Sequence, residues 1–124
     1  MTDIVAFVKA RLAEDQAAAE AAPPSPWRAN VDELFAGDGT RLHWAEHAAS
    51  GMDEDAVVHI VRHDPARVLR EVAAKRRLLA LDADPDEYNN DVVRGWAEAH
   101  YQVCRLLALP YASHPDYDPS WSPS

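Results

Sequence analysis

The sequence predicts a mainly α-helical fold: about four helices in a small bundle, one inserted β-hairpin and an extended C-terminal tail rich in proline and aromatic residues. Three observations predict it. Apolar residues recur at helical spacing near the N-terminus and again between residues 53 and 109. The step Asp38-Gly39 between two apolar runs is typical of a hairpin turn. Four prolines and three aromatic residues share the last 15 residues, where an α-helix could not continue.

The length of 124 residues predicts a single domain, 1–124. We divide it into an N-terminal helix (1–22), a β-hairpin (27–45), a helical core (53–109) and the tail (110–124). The single cysteine excludes an intramolecular disulfide framework, and the sequence has neither an apolar leader nor a long apolar run. We therefore expect a cytoplasmic protein that does not span a membrane.

The first helix is predicted over about residues 3–21. Thr2 and Asp3 supply a cap and an early negative charge at its N-terminus. Its apolar residues recur four apart and form one stripe: Ile4, Val8 and Leu12, with Val5 beside them. The alanine-rich end has high helix propensity but little to bury. Three prolines between residues 23 and 26 then end the helix.

The predicted hairpin has residues 34–36 as its first strand and residues 41–44 as its second. The turn between them contains Asp38 and Gly39. A two-stranded hairpin is marginal by itself in water, so it should pack on the helices through its large side chains. The candidates are Trp27, Phe35 and Trp44.

A second helix, 53–62, opens on three acidic residues. His63, Asp64 and Pro65 then end it and begin a third, which should run to about Leu81. The residue before a proline is pushed out of the helical region, aspartate is a good N-cap, and proline is favoured as the first helical residue. The residues expected in the core are Val57, Ile60 and Val61, and in the third helix Val68, Leu69, Val72 and Leu79.

Residues 82–90 predict a polar, acidic loop, and a fourth helix follows over about residues 91–108. Its inward residues are predicted to be Val92, Trp96, Ala99, Val103 and Leu107. Arg94 and Glu98 are expected to form an ion pair one turn apart. The tail should lie on the body as a strap, because three aromatic side chains left in water would be unusual for a monomer. The alternative is a peptide for a partner protein.

The net charge of −9 disfavours a general binder of the nucleic-acid backbone. The charge is uneven, because six of the 12 basic residues fall between residues 62 and 77. Three arginines lie opposite the buried stripe of the third helix: Arg67, Arg70 and Arg77. They could bind an acidic partner or a phosphate, or pair with the protein's own acids. Arg67 is expected to fix the tail by bonding Asp116 or a carbonyl near His114.

The spacing of two histidine and cysteine pairs is compatible with a zinc site. His59 and His63 lie four residues apart, and His100 and Cys104 have the same spacing on the fourth helix. Two such pairs on facing helices could supply four tetrahedral ligands, with His114 in place of one. The alternatives are structural, since His63 could hold a backbone carbonyl and Cys104 could be a small buried apolar residue.

No catalytic residue is assigned. His63 and Asp64 are similar to the paired ligands of metal-dependent phosphohydrolases, but Pro65 makes a helix start the simpler interpretation. The sequence contains no phosphate-binding loop, no serine-hydrolase elbow and no dinucleotide fingerprint.

Three motifs carry a family resemblance. They are HDPARVL at 63–69, AKRR at 74–77 and LLALPYASHPDY at 106–117, which is followed by Trp121. Together with residues 4–12, these motifs resemble a family of small proteins of unknown function found in actinobacteria and their phages. The resemblance implies a small cytoplasmic protein and no activity.

The function predicted from the sequence is that of a non-catalytic, cytoplasmic accessory protein of actinobacterial or phage origin. It is expected to bind a macromolecular partner, with a protein as the first candidate. Direct binding of nucleic acid is not expected, and self-association is left open. The binding residues would be Arg67, Arg70, Arg77, His63, Asp64 and His114. The alternative is a zinc-binding protein or metal-dependent hydrolase that uses His59, His63, His100, Cys104 or His114. An acidic mimic of nucleic acid is disfavoured, because the carboxylates cluster in loops.

Overall fold

The computed structural model of the chain describes residues 3–30, 33–42, 53–81 and 91–123. Within these ranges the elements are α1 (Ile4–Ala21), β1 (Arg28–Asn30), β2 (Glu33–Phe35), α2 (Glu54–Arg62), α3 (Pro65–Ala80) and α4 (Asp91–Ala108). Two short 3₁₀ turns follow, Leu109–Tyr111 and Pro119–Trp121. The mainly α-helical class with one antiparallel hairpin is therefore confirmed. In the described part of the chain, no helix combines the length and apolar character needed to cross a membrane.

The chain divides into two compact units. The terminal unit comprises residues 1–14 and 73–124, and the middle unit comprises residues 15–72. The prediction of a single domain stays a prediction.

The core of the terminal unit contains the predicted stripe of α1. Ile4, Val8 and Leu12 are all buried, as their four-residue spacing predicts. Phe7 lies beside them and is only 2% exposed. Further buried residues of this unit are Leu79, His100, Cys104, Ala108, Tyr117 and Trp121. The sequence analysis did not assign Phe7 to the core, although it lies three residues after Ile4 and therefore on the same side of α1.

The buried face of α4 differs from the predicted one. His100, Cys104 and Ala108 are buried, whereas Val92 is 78% and Trp96 is 55% exposed. The prediction that Val92, Trp96 and Ala99 face inward is therefore wrong. The helix is turned so that the Nε2 atom of His100 lies 3.1 Å from the carbonyl oxygens of both Leu78 and Leu79.

The ion pair expected on α4 also has a different partner. Arg94 binds Asp91, with 3.0 Å between Nη2 and Oδ1. Glu98 instead accepts a hydrogen bond from the side chain of Gln102 at 2.9 Å. Both contacts join neighbouring turns of an exposed helix face, so their contribution to stability is small.

The tail packs as expected but is not extended. Tyr117 and Trp121 are buried, which confirms the strap over the residues described. Its backbone forms successive tight turns, with hydrogen bonds from the amides of His114, Tyr117 and Trp121 to carbonyls three residues earlier. Proline is well placed at the start of such turns, since its φ is already suitable and its missing N–H is not needed there.

Asp118 caps the last turn of the tail. Its Oδ1 accepts a hydrogen bond of 2.9 Å from the backbone amide of Ser120. This bond and a second one from the Ser120 side chain hold the pKa of the Asp118 carboxyl below its ordinary value. The cap therefore stays charged under conditions where free aspartate begins to bind protons.

The middle unit contains a strand pair that the sequence did not predict: β1 pairs with β2 in antiparallel register, so that Ala29 lies opposite Leu34. The predicted turn also forms, with Gly39 at φ 87°. Beyond it Phe35 and Arg41 form an antiparallel bridge, and the amide of Leu42 donates to the carbonyl of Leu34 at 2.8 Å. β1 is exposed throughout and has no apolar alternation, so periodicity could not predict it. The predicted strand residues His43 and Trp44 lie outside the described residues, as does the predicted loop 82–90.

Helices α2 and α3 begin and end as predicted. Asp53 caps α2 through the amide of Asp55 at 3.2 Å. Asp64 caps α3 through the amide of Arg67 at 3.0 Å, and Pro65 is the first helical residue. Val57 and Val72 are buried, and the other predicted core residues of α2 and of the start of α3 are half-buried.

Replacing Asp64 with alanine should lower the free energy of unfolding by about 1 kcal/mol. The side chain accepts the α3 cap bond at 3.0 Å and a longer bond of 3.4 Å from the amide of Trp27. Denaturant titration measures the change. The control is Asp64→Asn, which keeps an acceptor oxygen and should retain most of the stability. An alanine variant as stable as the original would show that the cap contributes nothing.

Candidate functional site

A basic cavity lies in the terminal unit. Lys9 of α1 and Arg76 of α3 line a cavity of about 350 Å³, together with Leu79 and Ala80. Lys9 follows the buried Val8, and Arg76 lies one turn before the buried Leu79, so both cations stand at the edge of the core. Both residues are exposed, and within the described residues neither forms a hydrogen bond or an ion pair. The geometry therefore suits an anionic group that contacts both cations.

The sequence analysis did not select Lys9 or Arg76. Arg76 belongs to the AKRR motif at 74–77, but sorting by helix face selected its neighbour Arg77 instead. Lys9 lies far from the basic segment in sequence, so only the packing of α1 beside α3 in this unit brings the two cations to one cavity.

Arg67 has partners within the middle unit. Its Nε atom lies 2.9 Å from Oε1 of Glu71, and its Nη1 atom donates to the carbonyl of Arg62 at 2.9 Å. Arg67 therefore joins the end of α2 to the start of α3, which is a structural role. The expected contact with Asp116 or a carbonyl near His114 would join the middle unit to the terminal unit, and it stays a prediction.

Arg70 and Arg77 remain candidates for binding. Both are exposed on α3, and among the described residues neither has a hydrogen-bond or ion-pair partner. The alternative, pairing with acids of residues 82–90, concerns residues outside the described ranges. The two arginines thus stay predicted binding residues.

Two other arginines hold the tail. Buried Arg11 of α1 bonds Oε1 of Glu14 at 2.9 Å and reaches the ring of His114, with 2.8 Å between Nη1 and Nδ1. Arg105 of α4 donates to the carbonyls of Trp121 at 2.9 Å and Ser122 at 2.5 Å. His114, a predicted binding residue, therefore lies in the packing of the tail on α1.

The histidines of α2 are exposed, and their rings lie 4.5 Å apart. The Nδ1 atom of His63 is 2.8 Å from the backbone carbonyl of His59. This agrees with the alternative in which His63 holds a backbone carbonyl instead of a metal ion. His63 also lines a cavity of about 270 Å³ with Asp15 and Trp27. Asp64, beside it, is engaged as the α3 cap.

The second pair lies inside the terminal unit. His100 bonds two backbone carbonyls of α3, and Sγ of Cys104 lies 3.8 Å from its Nδ1 atom. Cys104 is buried, as expected for a small apolar residue. Over the described ranges, no three histidine, cysteine, aspartate or glutamate side chains are grouped as metal ligands would be.

Comparison with known families identifies the chain. Residues 1–123 match the sequence profile of DUF6221, a family of unknown function. The chain belongs to this family. Searches of curated proteins and of solved structures gave no match. Membership in DUF6221 assigns no activity.

This DUF6221 chain carries a second open surface on α4. Leu78 and Leu81 of α3 and Trp96, Ala99 and Val103 of α4 line an apolar cavity of about 240 Å³, with His100 at its edge. The Nε1 atom of Trp96 donates to the carbonyl of Leu81 at 3.0 Å, which fixes the indole over the end of α3. The polar edge of this ring is thus satisfied, while more than half of the side chain stays exposed.

Proposed function

We propose that this protein is a non-catalytic accessory protein that binds an acidic segment of a protein partner through Lys9 and Arg76. The observation that supports this is the shared cavity, which is lined by two cations from different helices that have no partner among the described residues. Arg77, exposed beside Arg76, extends the basic surface.

The chemistry favours a carboxylate ligand. An arginine guanidinium can bind a carboxylate with two parallel hydrogen bonds, and a lysine ammonium adds a compact charge. Two neighbouring cations also repel each other, so an anion that contacts both removes an unfavourable interaction. The chain has 21 acidic residues against 12 basic ones, yet none of its described acids occupies this cavity.

A protein partner fits better than a nucleic acid. A net charge of −9 repels an extended phosphate backbone. A small positive surface on an acidic protein instead selects a partner with a local acidic cluster. Such charge complementarity mainly increases the specificity of binding and the association rate.

The proposal includes a cytoplasmic location and an actinobacterial or actinophage origin. A single buried cysteine suits a reducing compartment. The order of the motifs at 63–69, 74–77 and 106–117 supports the origin. In this proposal Arg77 is an additional contact and Arg70 is a separate candidate of the middle unit, whereas Arg67, His63, Asp64 and His114 support the fold.

The double variant Lys9→Glu/Arg76→Glu should lose the partner. Quantitative affinity capture from extract of the native host, followed by titration of the captured partner, should show at least about tenfold weaker binding, or 1.4 kcal/mol. Binding of the original chain should also weaken as salt rises.

The matched control is Arg28→Glu/Arg62→Glu, which changes the net charge equally at two exposed arginines of the middle unit. It should bind like the original chain. A partner that both double variants retain equally would contradict the proposal, and so would capture of nucleic acid alone.

A further inference from the structure

The exposed side of α4 carries a regular apolar stripe. It consists of Val92, Trp96, Ala99, Val103 and Leu106, and we call it the α4 stripe. The spacing alternates four, three, four and three residues, which is the spacing of the contact positions in a coiled coil. Such a pattern presents one continuous seam to another helix.

The α4 stripe is distinct from the face that α4 buries in its own unit. The buried face contains His100, Cys104 and Ala108. On the stripe, Val92, Trp96 and Leu106 are 78%, 55% and 57% exposed. α4 therefore has two apolar faces, and the described part of the chain covers only one of them.

Exposure of this extent points to an interface. The end of α3 adds Leu78 and Leu81, which are also exposed and which line the cavity beside Trp96. A contact that covers the stripe and these two leucines removes on the order of 600 Å² from water on each copy, and on the order of 1,200 Å² in a symmetric pair. That total reaches the lower end of the areas that specific protein interfaces bury. Contiguous apolar patches of this size on a monomer usually mark binding sites.

We propose that a second copy of this chain covers the α4 stripe, with the two α4 helices antiparallel across a two-fold axis near Ala99. This goes beyond the proposed function, because it uses a different face and needs no cation. The occupant is a copy rather than another protein because the stripe is complementary to itself.

The self-complementarity follows from the order of residue sizes. With Ala99 opposite Ala99, the large Trp96 of one copy meets the smaller Val103 of the other, and Val92 meets Leu106. A small residue on the axis lets the two helices approach closely. A two-fold contact uses the same patch on both copies, as this register does.

Charge also permits this contact. Two chains of net charge −9 repel each other, so they associate more easily through a face that adds no further like charges at the contact. The residues next to the stripe on its solvent side are Gly95 and Gln102, which carry no charge. Antiparallel pairing further places the first turn of one α4 near the last turn of the other, and the opposed helix dipoles favour that arrangement.

Sedimentation equilibrium over a range of concentrations tests the pairing. The original chain should be a dimer at micromolar concentration, and Val92→Glu should raise its dissociation constant by at least about a hundredfold, since each substitution occurs twice in the dimer. Glutamate is favourable in the first turn of a helix, so this variant should fold as well as the original. Val58→Glu is the matched control, at a valine of α2 that is also exposed, and it should leave the dimer unchanged.

Ala99→Cys tests the register. Under mild oxidation this variant should form a disulfide between copies, because the two Ala99 positions face each other across the axis. Val58→Cys should not. A chain that stays monomeric at all concentrations would overturn the proposal and leave the stripe to another protein or to residues 82–90. A dimer that Val92→Glu does not weaken, or one in which Ala99→Cys does not cross-link, would also overturn it.

Discussion

Phe7→Ala should lower the free energy of unfolding by about 3 to 5 kcal/mol. The ring of Phe7 is the centre of an aromatic cluster in the terminal unit. Its centroid lies 5.1 Å from that of Trp121, 5.9 Å from that of Tyr117 and 5.6 Å from that of His114. Removing the ring leaves a cavity that the two buried tail aromatics line, and it also removes edge-to-face contacts.

Denaturant titration with near-ultraviolet circular dichroism measures this loss, because Tyr117 and Trp121 report on the packing of the tail. Phe35→Ala is the matched control: the same side chain is removed at a half-buried position of β2. It should cost on the order of 1 to 2 kcal/mol, since less apolar surface is lost. Equal effects of the two substitutions would contradict a central role for Phe7.

Gly37→Ala should destabilise the protein by about 3 kcal/mol, the upper end of the usual range for overpacking. A Cβ atom at this position would lie 2.3 Å from the carbonyl oxygen of Ser25 and 2.6 Å from its carbon. These are backbone atoms, so they cannot move aside as the end of a flexible side chain can. The amide of Gly37 also donates to the carbonyl of Pro24 at 2.7 Å, which holds the two segments close.

Gly39→Ala separates this clash from ordinary backbone strain. A Cβ at Gly39 meets no atom within 4 Å, but the residue has φ +87°. The expected cost is therefore about 1 to 2 kcal/mol, from the left-handed conformation alone. Hydrogen exchange should show lost protection of the Gly37 amide in Gly37→Ala and not in Gly39→Ala. If Gly37→Ala is the more stable of the two variants, the close approach at Ser25 is misplaced.

The sequence predicts that α4 has an apolar face, but only the structure shows that this face is exposed. The spacing of Val92, Trp96, Ala99 and Val103 is visible in the sequence, and it predicted an apolar face on α4. The sequence analysis placed that face inward, because an isolated amphipathic helix usually buries its apolar side in its own domain. The structure buries His100 and Cys104 instead, so the predicted stripe is a surface.

The sequence by itself determined the local boundaries of the fold. The prediction of α4 over residues 91–108 agrees with the helix found at Asp91–Ala108. The sequence His63-Asp64-Pro65 also predicts the end of α2 at His63 and the cap of α3 at Asp64, where the structure has them. Caps, prolines and helical periodicity act over one or two turns, so their effect can be derived from neighbouring residues alone.

Only the tertiary structure decided which residues meet. The contact of Arg11 with His114 and the cavity shared by Lys9 and Arg76 depend on residues distant in sequence. The buried face of α4 depends on which of its two apolar faces the unit covers. Helical periodicity shows that a face is apolar but not what covers it. Which face is buried is decided by the packing of the whole unit, in which His100 lies against the carbonyls of α3 and the tail packs on Phe7.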